Sequence, residues 1–113
     1  MSTPNDTVSL QDAETWTAEW RKQNPGNVKA FLIPTDDLTG VLAENPDKVR
    51  AYIGIKLNGD GTQEAKLLIV AADRVGSIYE DQLPPQQGDN GNYIFDFTSP
   101  CPTDCDPNSS LNS

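Results

Sequence analysis

The chain has 113 residues, a net charge of −9 and no histidine. That length bounds it to one domain with tails, and the charge disfavours a nucleic-acid backbone or an anionic membrane as a partner. The missing histidines remove the usual general base and the commonest metal ligand.

The charge is uneven. Residues 1–57 carry six Lys/Arg against eight Asp/Glu, and residues 58–113 carry two against nine. A basic protein is the partner such a surface attracts, although acidic charge of this size also simply keeps a chain in solution. The opening MSTPNDTVSLQDAE lacks the basic and apolar regions of a secretory signal. No apolar run approaches the roughly 20 residues that span a bilayer. These features point to a cytoplasmic protein, without nucleic acid or membrane as partner.

Residues 1–8 are polar and expected to be disordered. Ser9 then starts a helix, with Asp12 three residues later in an acidic variant of the capping box. The helix runs to about Gln23 and stops before Asn24-Pro25-Gly26. Leu10, Ala13, Trp16 and Trp20 share one face at helical spacing. The expected role of the Trp pair is packing on a sheet; the alternative is an exposed surface on which a flat ligand stacks.

Val28 to Ile33 is a short apolar run ended by Pro34, which favours a strand. In TDDLTGVLAEN, Thr35 is a candidate N-cap, with Asp36 and Asp37 in a first turn whose dipole favours negative charge. Leu38, Val41 and Leu42 form the expected buried stripe, and Gly40 weakens this helix by about 1 kcal/mol against Ala.

The strongest signal follows. VRAYIGIKL and AKLLIVAAD flank NGDGTQE, the pattern of a β-hairpin. Val49, Ala51, Ile53, Ile55 and Leu57 point to one face, expected to be buried, and Arg50, Tyr52, Gly54 and Lys56 to the other. The second run is apolar on both faces, as in a central strand. Asn58-Gly59 and Asp60-Gly61 compete for the turn. Ser77-Ile78-Tyr79 reads as a brief strand, residues 80–91 as a polar loop, and Asn92 to Phe97 as a last strand presenting Tyr93, Phe95 and Phe97 on one face. From Ser99 the chain is rich in Pro, Asp, Asn and Ser, and no regular structure is expected. The expected organisation is a disordered stretch 1–8, a single domain over 9–98 and an irregular, acidic, Cys-bearing tail over 99–113. The expected fold is α+β: a mainly antiparallel sheet of about four strands with two helices on one face.

Three places carry candidate chemistry. Cys101 and Cys105 have three residues between them, which is not the redox Cys-x-x-Cys spacing. Two thiolates fall short of the four ligands of a zinc site, and Asp104 and Asp106 disfavour the nucleophilic thiolate. An inert or docked tail, a disulfide, and a metal or redox role all remain open. The acidic turn around Asp60 and Glu64 lacks the calcium-loop pattern and reads as merely solvated. Arg50, Tyr52 and Lys56 line the polar hairpin face, either receiving a carboxylate or an acidic partner, or solvated on an open sheet face or paired with the many carboxylates of the chain. The hydrolase, P-loop and dinucleotide motifs are absent from the sequence, so a non-enzymatic protein without cofactor is expected.

WTAEWR, KAFLIPTDDL, RAYIGI, KLLIVAAD and the ending DFTSPCPTDCDPNSSLN together resemble a group of small bacterial proteins of no established activity. The resemblance implies one domain containing the first strand and the hairpin, and implies no site residues. The leading functional expectation is an acidic, partner-binding protein, monomeric or homodimeric. The alternatives are a metal or redox role of the Cys pair, and a small-ligand binder using the Trp ridge and the Arg50 face.

Overall fold

The computed structural model describes residues 6–112; residues 1–5 and residue 113 lie outside the described residues. The described chain forms α1 (Leu10–Gln23), β1 (Ala30–Leu32), α2 (Thr35–Leu42), β2 (Lys48–Leu57), β3 (Gln63–Val75), β4 (Ile78–Asp81), β5 (Ser99–Cys101) and a 3-10 turn at Ser110–Asn112. The class is α+β, as expected. Its strands form two antiparallel sheets, ordered β2-β3-β4 and β1-β5, instead of a single sheet of about four. No described helix is long and apolar enough to cross a membrane.

The expected hairpin forms, and its register runs from Lys48↔Ala72 to Leu57↔Gln63. The turn closes with the Asn58 N–H donating to the Thr62 carbonyl at 2.9 Å and the Gly61 N–H to Asn58 at 3.1 Å. Gly61 adopts φ +88, a conformation that glycine enters without a Cβ penalty. The Asp60 carboxylate accepts from both the hydroxyl and the N–H of Thr62. That engagement holds its pKa below the usual carboxylate value.

The core is small and lies over β3. Val41, Ile69 and Ala71 are buried together, with Ile33 and Phe95 packed against them. Gly40 makes this packing possible: a Cβ there would sit 2.5 Å from the Phe95 ring. The cost of Gly40 to the helix therefore accompanies a close approach. The radius of gyration is 16.6 Å, against about 13 Å for a compact domain of this length.

Three packing expectations and one capping expectation fail. The apolar face of β2 is not buried: Ile53, Ile55 and Leu57 are 68, 65 and 73% exposed. The cover supplied by α2 and Phe95 reaches Ile69 and Ala71 on β3 and stops there. The Trp ridge does not pack on the sheet. No α1 residue is buried, and the helix lies against the 3-10 turn through its Ala13, Thr17 and Arg21 side, while Trp16 and Trp20 are exposed. In α2, Thr35 is the first helical residue and Pro34 the cap; Val41 and Asp37 are buried, while Leu38 and Leu42 are exposed.

The expected strand 92–97 shrinks to one bridge, Ile69↔Phe95. Two residues on, the Phe97 N–H donates to the Asp37 carboxylate at 3.1 Å. The Thr98 hydroxyl accepts from the Leu67 N–H at 3.1 Å and donates to the Leu67 carbonyl at 2.9 Å. Side chains thus take the places that a backbone ladder would occupy.

Candidate functional site

The tail is where the structure departs furthest from the irregular segment expected over 99–113. Ser99–Cys101 forms β5, in register Ala30↔Cys101, Phe31↔Pro100 and Leu32↔Ser99 with β1. The Lys29 N–H adds a 2.7 Å bond to the Cys101 carbonyl. Proline is tolerated in such a strand because only one side of it must donate to a partner.

Cys101 and Cys105 form a disulfide with Cα atoms 4.9 Å apart. Of the three readings left open by their spacing, the bridged one is present. Cys101 is 3% exposed; Cys105 is half-buried. A cleft of about 290 Å³ runs beside the bridge, with both cysteines in its wall together with Thr17 of α1 and Leu111 and Asn112 of the terminal turn. Among the described residues, no group of three or more His, Cys, Asp or Glu could hold a metal ion.

What the bridge holds follows from the contacts around it. The loop closed by Cys101 and Cys105 leads into residues 106–112. That segment is tied internally, the Asn112 side-chain amide donating to the Asp106 carbonyl at 3.2 Å. The terminal turn is the element against which α1 packs, and the Arg21 guanidinium donates to the Leu111 carbonyl. One further α1 tether is the Trp20 indole N–H, which donates to the Val28 carbonyl at 2.9 Å. With no buried residue of its own, α1 depends on the tail for much of its anchorage.

The second candidate cluster is only partly assembled. Asp81 of β4 joins Arg50 and Tyr52: the guanidinium and the phenol both donate to its carboxylate. Arg50 also donates to the Tyr79 carbonyl at 3.1 Å. These contacts hold the Asp81 carboxyl below its ordinary range, through Tyr52 first and Arg50 second. The Tyr52 phenol is correspondingly raised, chiefly by its bond to Asp81. Lys56 stands apart, four residues along the strand and across from Glu64. For Arg50, pairing with a local carboxylate is the reading that holds. Nothing in the alternation of β2 identifies Asp81 as the partner, because β4 reaches Arg50 only after β3 has placed it.

Trp16 and Trp20 stand outside both clusters. Trp20, Phe31 and Ile53 line a small cavity of about 190 Å³, so Trp20, and not Trp16, adjoins the bare face of β2 at Ile53. Asp37 and Thr98 are both buried polar residues; the sequence reading placed Asp37 in the first turn of α2 without expecting its burial, and did not single out Thr98. The chain matches no protein-family model, no curated protein and no solved structure.

Proposed function

We propose that the Cys101–Cys105 pair is the functional element of this chain and acts as a redox-responsive clasp on α1. The observation that carries the reading is the placement of the bridge between β5 and the segment on which α1 rests. Cys105 is the less buried of the two cysteines, so we assign the attack of a thiolate to its sulfur. A dithiol reductant attacks Cys105 Sγ, forming a mixed disulfide and releasing Cys101 as a thiolate that takes up a proton. The second thiol of the reductant then displaces Cys105. The reductant ends as a disulfide and the protein carries two thiols. The closed loop is short, so its entropic contribution is only about 2 kcal/mol. The consequence of opening is therefore local: the tail, and with it α1, loosens, while the hairpin stays paired.

The test is equilibration in graded mixtures of oxidised and reduced dithiothreitol, followed by alkylation and mass measurement. The reading expects both thiols to appear together, reversibly, in the folded protein. Thiols that alkylate only after unfolding would overturn it.

A second reading, a non-enzymatic partner-binding protein, is favoured by the exposed apolar face of β2. Its basic-partner version rests on net charge alone. Many carboxylates are already engaged within the chain, among them Asp37, Asp60 and Asp81.

A further inference from the structure

β2 is the outermost strand of its sheet, and among the described strands it is paired with β3 alone. Ile69 exchanges both of its backbone bonds with Phe95, the N–H donating at 2.9 Å and the carbonyl accepting at 3.0 Å. Its cross-strand partner is Ala51. Hydrogen-bonded and non-hydrogen-bonded pairs alternate along an antiparallel ladder. Ala51 and, at every second position, Val49, Ile53, Ile55 and Leu57 therefore turn their N–H and C=O groups to the open edge. The same residues carry the bare apolar face. An uncovered edge with alternating exposed apolar side chains is a template for another strand.

Charge selects the occupant. β2 carries Lys48, Arg50 and Lys56 and contains no carboxylate; Arg50 is already paired with Asp81, which leaves Lys48 and Lys56 to face an occupant of the edge. A further cation, Lys29, lines the cavity shared by Ile53, Trp20 and Phe31. A second copy would bring the same cations against themselves, between two molecules of net charge −9. We propose that β2 binds an extended peptide segment of alternating acidic and apolar residues by strand addition. This rests on the partner-binding reading. The apolar side chains of the segment extend the Ile53, Ile55 and Leu57 face, one of them entering the cavity beside Trp20. Its carboxylates lie toward Lys48 and Lys56. Backbone bonds supply affinity, and the pocket and charges supply selectivity.

The experiment is fluorescence anisotropy with three labelled peptides that alternate Val with Glu, Lys or Thr. The Glu peptide is expected to bind the tightest, by about tenfold over the Lys peptide. Lys56→Glu should narrow or reverse that ratio. Ile53→Pro, which removes an N–H facing the open edge and so is tolerable in an edge strand, should weaken all three peptides; if it fails to fold, Lys56→Glu alone decides. Equal binding of the Glu, Lys and Thr peptides overturns the acidic class and leaves the partner reading standing. Binding of none overturns both. Concentration-dependent dimerisation in sedimentation that Ile53→Pro abolishes would assign the edge to a second copy and overturn the proposal.

Discussion

Replacing Thr98 by Val removes one hydroxyl while nearly keeping the shape of the side chain. That hydroxyl serves both backbone groups of Leu67, at 3.1 and 2.9 Å, and Thr98 itself is buried. A buried backbone group left without a partner costs about 1–3 kcal/mol. Leu67 is only half-buried, so the lower end applies to each group. The expected loss is about 2 kcal/mol, or roughly 8 °C in Tm for a domain near 100 residues. Thr98→Ser keeps the hydroxyl and deletes one methyl, which should cost about 0.8 kcal/mol. Urea unfolding followed by circular dichroism measures both. The midpoints should fall in the order wild type, Ser, Val, at unchanged m. A Val variant as stable as the Ser variant would refute the reasoning, because water would then be serving Leu67.

Further outcomes follow from other contacts. Gly40→Ala should destabilise by about 1–2 kcal/mol in the same assay, because overpacking against Phe95 outweighs the gain in helix propensity of about 1 kcal/mol. Asp81 has a depressed pKa, so its contribution is present above the unfolded carboxyl value and is lost as pH falls through the folded one. The raised Tyr52 phenol contributes below its unfolded value and loses that contribution as pH rises through the folded one. Asp81→Asn should therefore flatten the stability profile at both extremes, measured by denaturant midpoint against pH. Glu44 is raised mainly by burial, and the Tyr93 N–H bond offsets this only in part; its Oε1 is buried without a partner. Its folded state favours the protonated form, with a stability contribution lost as pH rises, so Glu44→Gln should be the more stable chain near neutrality.

What was legible in the sequence was local. Ser9 caps α1 through its hydroxyl and the Asp12 N–H at 3.0 Å, and the alternation around NGDGTQE placed β2 and β3. Burial was harder to read, because it depends on which element arrives to cover a face. Val49 to Leu57 alternates cleanly, yet the cover comes from α2 and from Phe95, and it reaches β3 only. The strand at Ser99–Cys101 was hidden by Pro100, which argues against strand wherever its pairing side is unknown. The disulfide was one of three open readings, since Cys-x-x-x-Cys spacing permits a bridge without requiring it. Asp81 was invisible as the partner of Arg50, because the two lie 31 residues apart in sequence.

The most direct test of the clasp is hydrogen exchange on the oxidised and reduced protein, resolved by peptide. Reduction should strip protection from α1 and from residues 102–112, while β2 and β3 keep theirs. Unchanged protection in α1, or a uniform loss across the hairpin as well, would contradict it.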